Sequence, residues 1–80
     1  MINLVSIDTK RFKTFGVLIR FHRIKNGLSQ NELAEMLNVS RTTVAMWETG
    51  KRLPSRGNLS DIVNLFGIDL SEYYHLWLRG

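Results

Sequence analysis

Between Gln30 and Gly50 the chain reads QNELAEMLNVSRTTVAMWETG, two short helical patterns with almost no residues between them. That crowding constrains the fold more than any other feature. Ser29 offers a side-chain acceptor to the orphan amides of a first turn, and Glu32 completes a capping box, so a helix starts near Gln30. Leu33, Ala34 and Leu37 form one apolar stripe, which Asn38 ends because asparagine tolerates the left-handed backbone. The chain must then turn sharply at Asn38-Val39. Ser40 caps a second helix running from Arg41 to about Thr49, with Val44, Trp47 and the stem of Glu48 on its buried side and Gly50 at its end. Helices this short are not stable alone, so neighbouring segments must hold them. Ala34 is small enough to let the second helix cross closely, while Val39 and Val44 fill the angle.

The flanking sequence supplies that support. From the possible caps Asp8 and Thr9 to Asn26 the pattern is helical, with Phe15, Ile19 and His22 on one face, Leu18 beside it, and Gly27 as terminator. Val17, Phe21 and Ile24 make a second stripe on the same helix, leaving apolar surface that something must cover. Met1 to Ile7 reads equally as a short strand, an arm or an extension of this helix. After Gly50, Pro54 blocks a helix and Ser55 caps the next, on which Leu59, Ile62, Val63 and Phe66 recur at helical spacing before Gly67. Ser71 or Asp69 caps a last helix, about 71–79, carrying Leu70, Tyr73, Tyr74 and Trp77, with Leu76 and Leu78 facing elsewhere. The expectation is an all-α fold: a compact five-helix bundle forming a single domain over residues 1–80, with little strand.

The central stretch resembles the helix-turn-helix of the phage-repressor and Cro-like (XRE-type) family, with Gln30, Ala34, Val44 and Trp47 at that family's characteristic offsets. Arg23, Gly27-Leu28-Ser29-Gln30, Leu33-Ala34, Val39-Ser40, Trp47-Glu48, Gly50-Lys51-Arg52 and Pro54-Ser55 fit the pattern too, so the resemblance covers about 15–70. Asn38 departs from it, standing where glycine is usual. The resemblance implies that the helix 41–49 lies in the major groove of double-stranded DNA while the preceding helix crosses the phosphates. The base-reading face would be Arg41, Thr42, Ala45 and Met46. Arg41 suits O6 and N7 of guanine, and the others suit hydrogen bonding or thymine methyl contact. Gln30, Ser40, Thr43, Thr49, Lys51, Arg52 and Arg56 are expected at phosphates, or in the case of Arg56 near the minor groove. The resemblance further implies that Arg23 and Glu48 meet as an ion pair that fixes helix orientation.

A net charge of +4 agrees with a polyanionic partner. The absence of cysteine excludes disulfides and thiolate metal sites. His22 and His75 have no metal-ligand spacing, and no nucleophile constellation or phosphate-cradling glycine loop is present, so neither cofactor, metal nor enzymatic activity is expected. No apolar run is long enough for a membrane span and no leader pattern is visible, which points to a cytoplasmic protein. One short helix reads few base pairs, so a homodimer on a two-fold operator is expected. Tyr73, Tyr74, Leu76, Trp77 and Leu78, with Phe21 and Val17, would supply the seam, or else pack on the first helix. The expected function is a repressor-like, sequence-specific transcriptional regulator, controlled through concentration, dimerisation or a partner protein. The alternative is an antitoxin-like or coactivator-like module that uses the C-terminal aromatic surface to bind another protein.

Overall fold

The computed structural model describes residues 12–79, the side chains at positions 70, 72 and 79 apart. The element order is α1 (Phe15–Lys25), α2 (Gln30–Leu37), α3 (Arg41–Glu48), α4 (Arg56–Phe66) and α5 (Leu70–Arg79), with no strand among the described residues. The fold is all-α.

Each helix begins where a side chain can accept from its first turn. Thr14 is extended and its hydroxyl accepts from the Val17 amide at 3.2 Å, so α1 starts at Phe15. That corrects the longer helix expected from Asp8 and Thr9; those two residues, like Met1 to Ile7, lie outside the described residues. Ser29 and Glu32 form the reciprocal capping box of α2, with bonds of 3.0 and 2.8 Å. Ser40 accepts from the Thr43 amide at 3.0 Å to start α3, and Ser55 accepts from the Asn58 amide at 3.2 Å to start α4. Of the two candidates at the last helix, Asp69 is the one that accepts, from the Ser71 amide at 3.4 Å.

The turn between α2 and α3 rests on Asn38, which is left-handed at φ 57 and ψ 44, while the Val39 amide donates back to the Ala34 carbonyl at 2.9 Å. This lets the chain turn from α2 into α3 within the three residues Asn38, Val39 and Ser40. Ala34 is buried at the crossing, Val44 is fully buried and Val39 is half-buried, so the angle between α2 and α3 is filled as the side-chain sizes require.

The core draws on every helix, enclosing Phe15, Leu18 and Ile19 of α1, Leu33 of α2, Val44 of α3, Ile62 of α4 and Leu76 of α5. Trp47 joins it from α3 at 2% exposure. His22 is buried at 7%, stacked on Phe66 at 5.7 Å and edge-on to Phe21 at 5.3 Å. The second stripe of α1 divides: Phe21 is half-buried against Phe12 at 5.1 Å, whereas Val17 and Ile24 stay exposed.

The last helix corrects the sequence reading. Leu76 faces the core at 2% exposure, so it cannot contribute to an intermolecular seam. Phe15 packs near Tyr73, ring centroids 6.1 Å apart, which turns the Tyr73-Leu76 side of α5 onto α1. Tyr74 and Leu78 are left outward at 51% and 62% exposure, with Tyr73 and Trp77 half-buried between.

Candidate nucleic-acid interface

The geometry of α3 follows from the side chains it must hide. Val44 and Trp47 bury one side, which leaves Arg41 and Thr42 exposed at the amino end and Ala45 and Met46 half-buried along the shoulder. The four expected base-reading residues therefore occur together on one flank. Thr43 is half-buried, and its hydroxyl lies 2.9 Å from that of Ser40. Thr49 donates its hydroxyl proton toward the Ala45 carbonyl at 3.0 Å, closing the last turn. Ser40, Thr43 and Thr49 thus serve the helix ends before anything else.

Lys51 and Arg52 are exposed immediately beyond, in a loop pinned by both their amides, which donate to the Met46 carbonyl at 2.9 and 3.3 Å. Arg52 shares a cavity of about 230 Å³ with Thr43, Trp47, Leu53, Ser55 and Asn58. Arg56 does not join this group. Although exposed, it lines a separate cavity of about 370 Å³ between α4 and α5, with Tyr73, Tyr74 and Trp77.

The ion pair is present. Arg23 Nε donates to Glu48 Oε2 at 2.6 Å and Nη2 donates to Oε1 at 3.1 Å, while Nη1 donates to the Leu28 carbonyl at 2.8 Å. Both side chains are largely shielded, at 12% and 4% exposure. A carboxylate in the last turn of a helix opposes the helix dipole. Arg23 supplies the opposing charge that makes the arrangement tolerable, and it ties α1 to both α3 and the α1–α2 turn.

Gln30 adds a link the sequence reading missed. Its Nε2 donates to Glu48 Oε1 at 3.1 Å, so Glu48 is shared by α1, α2 and α3. The side chain expected to grip a phosphate is therefore held half-buried at the amino end of α2 by a bond inside the protein. No signal in the linear pattern marks this bond, because its partners lie on different helices. Among the described residues, no group of His, Cys, Asp or Glu could hold a metal ion, and no helix is long and apolar enough to cross a membrane.

Two short helices joined by a left-handed turn, the second with its polar amino end outward and its tryptophan side in the core, define a helix-turn-helix. The helix-turn-helix family profile matches residues 19–73, and the chain belongs to that family. It is 40% identical over 50 residues to the HTH-type transcriptional activator BcrR of Enterococcus faecalis, a match covering 62% of this chain and 24% of that protein. It is 41% identical over 59 residues to the ImmF control region 10 kDa protein of Bacillus phage phi105, covering 74% of this chain and 66% of the phage protein. An uncharacterized HTH-type transcriptional regulator of Methanocaldococcus jannaschii is 32% identical over 56 residues, 70% of this chain and 85% of the relative. The match thus spans about a quarter of the activator and just under two thirds of the phage protein.

Proposed function

We propose that this chain is a DNA-binding transcriptional regulator that reads double-stranded DNA sequence-specifically through α3, in the manner of a repressor. The observation that carries the reading is the exposure of Arg41 and Thr42 at the amino end of a helix whose opposite side, Val44 and Trp47, is buried. A helix held this way can enter the major groove with its first residues at base edges. Family membership and the regulatory names of the relatives support it. In this reading Arg41, Thr42, Ala45 and Met46 contact bases. Lys51 and Arg52 contact phosphates, with Gln30, Ser40, Thr43, Thr49 and Arg56 as further backbone contacts. The protein works in the cytoplasm and performs no catalysis.

The same reading takes the DNA-bound form as a homodimer on a two-fold operator. Tyr73, Tyr74, Trp77 and Leu78 form its seam, and Leu76 is excluded by its burial. A selection from random duplexes at fixed salt tests the proposal. A symmetric enriched motif that Arg41→Ala no longer binds supports it, and equal binding of enriched and shuffled duplexes overturns it.

One observation favours a second reading, in which the α4–α5 surface binds another protein. Trp77 Nε1 is buried and finds no hydrogen-bond partner among the described residues, beside the cavity lined by Tyr73, Tyr74 and Val63. Loss of partner capture on changing Tyr74 and Trp77, with DNA binding absent throughout, would select this reading.

A further inference from the structure

Gly16 lies in the first turn of α1 with an ordinary negative φ, so its backbone would accept any residue. Its requirement is space. A Cβ added there would overlap the carbonyl oxygen of Trp47 and lie 2.7 Å from that of Glu48, whereas one added at Gly27, Gly50, Gly57 or Gly67 would meet nothing within 4 Å. The contact is backbone against backbone, and neither carbonyl can swing aside as a side chain would. Gly16 is therefore the surface on which the last turn of α3 seats. About two turns further along α1, Arg23 holds the Glu48 carboxylate. One end of α3 is thus stopped by Gly16 and drawn in by Arg23.

We propose that Gly16 is a positioning residue for DNA reading, acting through the pose of α3. The proposal rests on the major-groove reading above. Arg41 and Thr42 stand at the other end of α3, roughly 10 Å from the seat at 1.5 Å per residue, so a tilt at Trp47 and Glu48 is carried to the residues facing the bases. A methyl at position 16 forces that tilt without replacing any base-contacting side chain.

The test compares Gly16→Ala with Ile62→Val, which removes one methyl from the buried part of α4. Residual dipolar couplings of the backbone amides read the angle between α1 and α3. Dissociation constants are measured for the duplex enriched by the unaltered protein and for a shuffled duplex, at a temperature where circular dichroism shows every variant folded. The expected result is a changed α1–α3 angle in Gly16→Ala alone, with affinity for the enriched duplex falling about tenfold or more, the scale of one lost base contact, and for the shuffled duplex by less than about twofold. An unchanged angle, unchanged affinity, or an equal loss in Ile62→Val overturns the proposal. If Gly16→Ala is too unstable, the comparison is repeated in an Asn38→Gly background, and failure to fold there too overturns positioning in favour of a purely structural role. If the unaltered protein enriches no duplex, the major-groove reading fails, while the amide couplings still decide whether Gly16 sets α3.

Discussion

Arg23 and Glu48, 25 residues apart in the chain, face each other with Nε donating to Oε2 at 2.6 Å and Nη2 to Oε1 at 3.1 Å. Removing one partner strands the other charge in a shielded setting. Arg23→Met should therefore cost about 3–5 kcal/mol of unfolding free energy, and Arg23→Met with Glu48→Leu should recover a large part of that loss. Urea unfolding of the two single variants and the double variant measures the coupling. A double variant as unstable as the sum of its parts would show that the pair is not energetically joined.

Asn38 is the described non-glycine residue with a positive φ. Left-handed backbone costs a residue with a Cβ roughly 1 kcal/mol, less for asparagine than for most. Asn38→Gly should then raise stability by a few tenths to about 1 kcal/mol, and Asn38→Ala should lower it by about 1 kcal/mol. Thermal unfolding reads both. Neither change should alter affinity for an enriched duplex, because Asn38 lies outside the proposed contact set.

Leu76 and Leu78 are two residues apart on α5 but differ in exposure, 2% against 62%. Leu76→Ala should cost about 2–5 kcal/mol, while Leu78→Ala should stay within about 0.5 kcal/mol in the monomer. If Leu78 helps form the proposed dimer seam, its replacement should instead raise the dimer dissociation constant in sedimentation. Equal thermal destabilisation by both substitutions would contradict the burial pattern.

The pair of leucines also marks where sequence stops being legible. Signals written in neighbouring residues were readable: the Ser29-Glu32 box, the left-handed Asn38 and the ends of α3 and α4 follow from short-range geometry that the chain carries locally. The start of α1 was missed because a helical apolar period continued upstream, while the cap at Thr14 depends on one residue adopting an extended backbone. The inward face of α5 was missed for a different reason. Its apolar residues cover several sides, so periodicity does not choose among them, and the choice is made by the way α5 meets α1. At the site, the linear pattern and the family resemblance located the exposed flank of α3 and the Arg23–Glu48 pair. The Gln30–Glu48 bond and the seat at Gly16 are contacts between distant elements that no local pattern encodes.

Arg41 and Lys51 differ in what their removal should do to DNA binding, and the difference separates reading from holding. Arg41 is exposed at the first position of α3, where a guanidinium can donate twice to a guanine edge, whereas Lys51 is exposed beyond the end of α3, in the loop whose amides are tied to Met46. Arg41→Ala should cost about 1–3 kcal/mol on an enriched duplex and little on a shuffled one, because a lost base contact removes discrimination. Lys51→Ala should weaken both duplexes alike and lower the slope of log affinity against log salt by about 0.9, the release expected for one phosphate contact. Fluorescence anisotropy titrations across a salt series give both quantities from one data set. If Arg41→Ala changed the salt slope but not the ratio of enriched to shuffled affinity, Arg41 would be a phosphate clamp, and base reading would have to fall to Thr42, Ala45 and Met46.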